Sequence, residues 1–455
     1  MTVLDIKDIA RAVGADYSGE GTVTDVVTDS RRAGPGSLFV PIVGDNMDGH
    51  SFIDAAFESG AAFALSARRD IPDNGRILYV GDTKQAHIDI GALYRDRFDI
   101  KTVGITGSVG KTTTKEFVAA VLGSRYKVLK NKGNKNNEIG LPETLFQLDT
   151  SHEVAVLEMG MSGLNEIHAL TLAVRPDVAV ITNVYGVHLE YLGSIENVRK
   201  AKLEIADGMK PGSPLLLCGD NDMLRDTRLP GMDCIFFGIA NPDCQVRAIN
   251  IVDNGLFTTF DIRSVYGDYP ARIPTTGAHF VLDALAAFGV GCVLGIEPAQ
   301  AAAALENYAP AGMRQRPVSF LGGTVMEDCY NASPVSMRGA IDTLRAMPCV
   351  GRRIAVFSDM LELGETAREE HLAVGRAVAE AKIDKLLIWG QDARYYIEGA
   401  QSVGGVDCRA CDTKAELAAA IRALMSPGDI VWVKGSRGMK LEDMLAVLYG
   451  GDKRE

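Results

Sequence analysis

The sequence predicts an α/β protein of three domains. They are a small α/β N-terminal domain (1–98), a central P-loop mononucleotide-binding parallel sheet with an antiparallel add-on (99–312) and a C-terminal Rossmann-like α/β domain (313–455). Three observations predict it. Short continuous apolar runs alternate with helical stretches, the pattern of buried parallel strands. A glycine loop at 106–112 stands between one such run and a helix. Residues 245–274 instead alternate apolar and polar around Asn254-Gly255, a hairpin signal.

In order, residues 6–13 read as a helix, 37–40 (SLFV) as a strand, 52–63 as an amphipathic helix and 76–80 (RILYV) as a strand, followed by a helix ending near Tyr94. The charged stretch 95–100 (RDRFDI) marks a boundary. The central strands are 102–106 (TVGIT), 154–157 (VAVL), 178–181 (VAVI) and 215–217, and the loop opens a helix over 113–122. A helix over 279–294 and an Ala-rich helix close the domain, and 310–316 reads as a linker. The last third places strands at 354–357, 385–389 and 430–433 and helices at 367–382, 413–425 and 439–449.

A chain of 455 residues is too long for one ordinary core. Hydrophobic content of 47% with 23% charged residues is that of a globular protein. A net charge of -12 argues against a nucleic-acid partner. No 18-residue apolar run predicts a membrane span, and the first 17 residues lack the apolar core of a signal peptide. Eight dispersed cysteines fit a reducing compartment, and the expectation is a cytoplasmic monomer. Cys408 and Cys411 form one CxxC with no second pair to complete a zinc site, so two incidental thiols are expected.

The most specific motif is Thr106-Gly107-Ser108-Val109-Gly110-Lys111-Thr112. It follows a strand and opens a helix, as a P-loop must. Its glycines let backbone N–H groups approach phosphate, Lys111 can neutralise phosphate oxygens and Thr112 can reach Mg²⁺. The full G-x-x-x-x-G-K-[ST] spacing is shortened, because Ile105 stands where the first glycine would fall. Glu158, Asn183 and His188 end or follow neighbouring strands, where ligands of open α/β sheets bind, and Lys202 lies in the next helix.

GITGSVGKTTTKE, NKNNEIGLPETL, LEMGM, RPDVAVITNVYGVHLEYLGS and AKLEI resemble the central domain of the Mur ligases. TDSRRAGPGSLFVPIVGDNMDGHSFI resembles the N-terminal uridine-nucleotide domain of the family's D-alanyl-D-alanine-adding branch, and DCYNASPVSM, DMLELGE and VKGSRGMKLE its C-terminal domain.

The resemblance implies an ATP-dependent ligase. It would join D-Ala-D-Ala to UDP-N-acetylmuramoyl-tripeptide through an acyl-phosphate, with ATP as co-substrate and Mg²⁺ as metal. It implies ATP contacts from Gly107 through Thr113, Arg314 and Asp328, and catalytic or metal roles for Lys111, Thr112, Glu158, His188 and a carbamate on Lys202. Substrate contacts are implied for Ser30, Arg31, Asn137, Asn331, Lys434, Ser436 and Arg437. Without the family match, Lys202 reads as a surface lysine paired with Glu196 or Glu204. Phe280 and Asp283 replace asparagines of the family's GxHNxxNALAA pattern. Three domains carrying three ligands imply that linkers near 98 and 312 let both outer domains close on the central one.

Overall fold

A computed structural model describes residues 1–44, 47–72, 74–255 and 257–450. The N-terminal domain is built on a four-stranded parallel sheet ordered Asp25–Val27, Ser37–Phe39, Phe63–Ser66, Ile77–Tyr79. The helix expected over 52–63 is shorter. It runs Ile53–Glu58 and ends ahead of Gly60, whose φ of +104° interrupts the helix and lets the buried FALS segment turn back as a strand.

The central sheet has nine strands. Their order is Val128–Lys130, Val154–Glu158, Lys101–Thr106, Val178–Ile181, Pro214–Cys218, Asp233–Gly238, Val246–Asp253, Thr258–Ser264, Gly267–Ile273. The first seven are parallel and the last two add antiparallel hairpins. The edge strand Val128–Lys130 and the strand Asp233–Gly238 were not legible as apolar runs. The motif strand Lys101–Thr106 lies between Val154–Glu158 and Val178–Ile181, so the C-terminal ends of all three converge on the glycine loop. Helix Ala278–Val293 is apolar nearly all round because it is enclosed between the sheet and helix Lys111–Leu122.

The C-terminal sheet runs Arg316–Phe320, Gly323–Asp328, Ile430–Lys434, Arg353–Ser358, Lys385–Trp389, Asp407–Cys411. Only the first pair is antiparallel, so the expected linker gives way at Arg316 to a hairpin strand. Cys408 and Cys411 sit three apart on one strand and pack into the cores on opposite faces of the sheet, which rules out a shared metal. All eight cysteines are free thiols.

The two junctions differ physically. One hydrophobic core runs without a break from Leu4 to Tyr308, through the N-terminal and central domains. Buried Tyr94 ties them: its Oη accepts the Thr2 N–H at 2.8 Å and donates to Leu148 O at 2.9 Å. The cores on the two faces of the C-terminal sheet are separate from it. The junction near residue 98, where one of two hinges was expected, is therefore packed, and opening it would expose apolar surface. No helix among the described residues is long and apolar enough to cross a membrane.

Candidate active site

A cavity of about 500 Å³ lies where the glycine loop faces the C-terminal domain. The loop begins at Gly107, with φ +152°, where a Cβ would collide with the Thr182 hydroxyl. Gly110, with φ +85°, caps helix Lys111–Leu122 without a side chain, and a Cβ there would meet Asp283 Oδ1 at 2.9 Å. The loop is held by its neighbours. The Val109 N–H donates to Asn183 Oδ1 at 2.9 Å, and Asn183 Nδ2 donates to Val109 O at 3.1 Å. The Ser108 N–H donates to Asn183 O at 3.0 Å, and the Tyr185 N–H donates to Ser108 Oγ at 2.9 Å. Asn183, singled out in the sequence as a strand-end residue, thus shapes the loop.

Lys111 arches over the loop and donates to Gly107 O at 2.7 Å and Ser108 O at 3.1 Å. Burial lowers its pKa, the Glu158 charge opposes that, and Arg314 adds to it. Thr112 Oγ1 donates to Glu158 Oε2 at 2.8 Å and accepts from Arg314 Nη2 at 2.9 Å. Arg314 also stacks its guanidinium 3.8 Å from the Tyr330 ring centroid, which brings the C-terminal side of the junction onto the loop. Thr113, the next residue, also lines the cavity.

Glu158 is 3% exposed, so its partners decide its role. Oε1 accepts from Asn136 Nδ2 at 2.8 Å, and Asn131 clamps its backbone through both N–H and C=O. Lys115 Nζ stands 3.9 Å from Oε2 and 3.3 Å from Glu116 Oε1. Asn136, Asn131 and Lys115 were missed by sequence reasoning, although Asn136 and Lys115 fall within the quoted motifs and Asn131 lies just before one. Asn137 does not line the cavity: its Oδ1 caps helix Gly140–Leu145, accepting the Gly140 N–H at 2.9 Å.

Lys202 is buried at 2% exposure. Its amine forms no hydrogen bond or ion pair among the described residues. Burial, with the nearby Lys111 charge, lowers its pKa well below 10.5. The ion pair with Glu204 does not form, because Glu204 accepts the backbone N–H groups of Asn165 (2.8 Å) and His168 (3.1 Å) at the start of helix Glu166–Val174. His188 lines the cavity, with Nδ1 2.8 Å from Glu362 Oε2 of the C-terminal domain. That is ion-pair distance without the alignment of a hydrogen bond. The contact holds the Glu362 carboxyl below its ordinary pKa against the effect of burial.

Across the cavity, Asp328 Oδ2 accepts from Lys434 Nζ at 2.8 Å and Trp432 Nε1 at 3.3 Å. Lys434 also donates to Asn331 O at 3.1 Å, and the Arg437 N–H donates to Asn331 Oδ1 at 3.4 Å. Ser436 Oγ accepts the Leu361 N–H at 2.9 Å. Asp328, Asn331, Lys434, Ser436 and Arg437 therefore form one wall. Asp283, on the loop side, accepts from Thr114 Oγ1 at 2.6 Å, and burial pushes its pKa up to about 8. Ser30 and Arg31 lie elsewhere, in the N-terminal domain, where exposed Arg31 forks onto Asp29 at 2.7–3.2 Å.

The chain that builds this loop and cavity matches the models of one ligase family along most of its length. They are the Mur ligase family catalytic domain over residues 22–93, the Mur ligase middle domain over 105–291 and the Mur ligase glutamate ligase domain over 313–437. The chain belongs to the Mur ligase family. It is 37% identical over 449 residues to the UDP-N-acetylmuramoyl-tripeptide--D-alanyl-D-alanine ligase of Bacillus subtilis (strain 168), covering 98% of this chain and 97% of that protein. It is 33% identical to the ligase of the same name from Escherichia coli (strain K12), covering 98% of each. Crystal structure I of MurF from Acinetobacter baumannii superposes with a TM-score of 0.89 at 28% identity, over 98% of this chain and 99% of that one. The MurF ligase of Thermotoga maritima in complex with ADP gives 0.83 at 26%, over 93% and 96%.

Proposed function

We propose that the protein is the ATP-dependent ligase that joins D-alanyl-D-alanine to UDP-N-acetylmuramoyl-tripeptide, giving UDP-N-acetylmuramoyl-pentapeptide, ADP and phosphate in peptidoglycan synthesis. The observation that carries this reading is the 37% identity to the Bacillus subtilis enzyme across nearly the whole chain. The free thiols fit the reducing cytoplasm, and we read the enzyme as a monomer.

A carboxylate is a poor electrophile. Transfer of the γ-phosphoryl group of ATP to the tripeptide carboxylate creates a leaving group, and the dipeptide amine then displaces phosphate. The N–H groups of the glycine loop and the Lys111 ammonium face the phosphates, and Arg314 adds charge where the phosphoryl group transfers. The wall of Asp328, Asn331, Lys434 and Arg437, which lines the cavity, is our assignment for the nucleotide sugar and the acceptor, and Ser30 and Arg31, outside it, for the uridine nucleotide.

The donor set fits Mg²⁺, because Thr112 Oγ1 and Glu158 Oε2 offer hard oxygen atoms side by side, with His188 on the same cavity. Bound there, the metal would offset phosphate charge. An ammonium at Lys202 would oppose it. Burial lowers the Lys202 pKa and so favours the neutral amine, the form that adds to CO₂: a C–N bond would form, one proton would leave, and the side chain would become an anionic carbamate able to offer oxygen to the metal.

A coupled phosphate-release assay with ATP and UDP-muramoyl-tripeptide tests the reading. Release should require D-Ala-D-Ala. Equal turnover with a free amino acid would overturn the acceptor, and hydrolysis indifferent to both substrates would point to a nucleotide switch.

A further inference from the structure

Glu362 stands on the loop that follows strand Arg353–Ser358, and that loop is braced residue by residue. The Asp359 carboxylate accepts the N–H groups of Gln391 (2.8 Å) and Asp392 (3.1 Å). The Met360 N–H donates to His371 Nε2 at 3.0 Å, and the Leu361 N–H to Ser436 Oγ at 2.9 Å. Asp359, His371 and Asp392 have the spacing of a metal site. Both His371 nitrogens are engaged, however, Nδ1 with Ala367 O at 2.6 Å, so the cluster is a brace for this loop.

What the brace presents is Glu362, in a left-handed conformation with φ +63°. Opposite it, across the domain boundary, His188 is also left-handed, with φ +55°. Such backbone is unfavourable for residues with a Cβ and gathers at functional sites. His188 Nδ1 is shielded from solvent with no hydrogen-bond partner among the described residues, and the Glu362 carboxylate oxygen stands 2.8 Å away. His188 Nε2 forms no hydrogen bond among the described residues.

We propose that Glu362 is a positioning residue that the C-terminal domain delivers to His188. Its carboxylate keeps the imidazole proton on Nδ1 and leaves the Nε2 lone pair to act as a ligand. The inference rests on the role of His188 at Mg²⁺ proposed above. Its consequence is that the ligand set around the phosphates is complete only when the C-terminal domain is docked. Phosphoryl transfer then waits for the domain that brings the acceptor, and idle ATP hydrolysis is suppressed.

The test is Mn²⁺ binding to the full-length protein with ADP, followed by electron paramagnetic resonance, for wild type, His188→Ala, Glu362→Ala and Glu362→Gln. Glu362→Ala should weaken Mn²⁺ binding by about 10–100-fold, with ADP affinity and melting temperature unchanged. Glu362→Gln, which keeps the side-chain shape but removes the charge facing Nδ1, should recover only a small part of the loss. In turnover, kcat should fall in Glu362→Ala while KM for ATP holds. If His188→Ala loses Mn²⁺ and Glu362→Ala binds it as wild type does, the positioning role is wrong and the metal role of His188 stands. If His188→Ala itself binds Mn²⁺ normally, the metal role fails and this inference with it.

Discussion

The Thr112 hydroxyl donates to Glu158 Oε2 across 2.8 Å, joining the first turn of the loop helix to the end of the adjacent strand. Two oxygen atoms from separate elements are thereby held together at the foot of the cavity. Glu158→Gln keeps the shape and removes the charge. Steady-state kinetics should show kcat lower by about 10²–10³-fold with little change in ATP affinity, because the charge serves the transition state more than binding.

Lys202→Ala removes a buried amine that has no partner among the described residues. It should nearly abolish turnover, leave ATP binding largely intact and leave the melting temperature within a few degrees, since no native ion pair is lost. Short-chain carboxylates added to the assay should restore some activity by occupying the vacated space. Wild-type turnover in Lys202→Ala would remove the carbamate from the mechanism.

Asn183 fixes the loop through two hydrogen bonds to Val109, at 2.9 and 3.1 Å. Asn183→Ala should raise the Kd for ATP about 10-fold, the equivalent of roughly 1.4 kcal/mol, measured by nucleotide titration. An unchanged Kd would mean that the loop keeps its shape without the amide.

Asp283 supplies a pH signature. Its folded pKa is about 8 against an ordinary 3.8, so between these values the native state binds more protons than the unfolded state. Stability contributed by this group is therefore lost as pH rises from about 4 towards 8. Asp283→Asn keeps an acceptor for Thr114 Oγ1 and removes the titration. The variant should be more stable than wild type at pH 8, by an amount on the order of a few kcal/mol, with the gap closing towards pH 4 in denaturant unfolding.

Ligand-driven closure should involve one hinge. Spin-label distances between the N-terminal and central domains should stay fixed, because a single core joins them. Distances from either to the C-terminal domain should shorten when nucleotide and tripeptide bind. Motion at residue 98 comparable to that at 312 would contradict the packed junction.

Much of this was legible in the sequence because it is local. A strand, a glycine turn, a lysine and a helix are neighbours along the chain, so the loop from Gly107 to Thr113 could be placed before any contact was known. The central parallel strands were readable as apolar runs because both of their faces are buried. The hairpin Arg316–Phe320 with Gly323–Asp328 was not, since its first strand is half exposed and forms no continuous apolar run. Asn136 and Asn137 look alike in sequence, and only the turn of the backbone sends one to Glu158 and the other to a helix cap. Lys202 had two acidic residues nearby in sequence. The fold committed Glu204 to another helix and buried the Lys202 side chain. Glu362 and His188 belong to different domains. No local pattern connects them, because the contact exists only once two separately folded cores are docked.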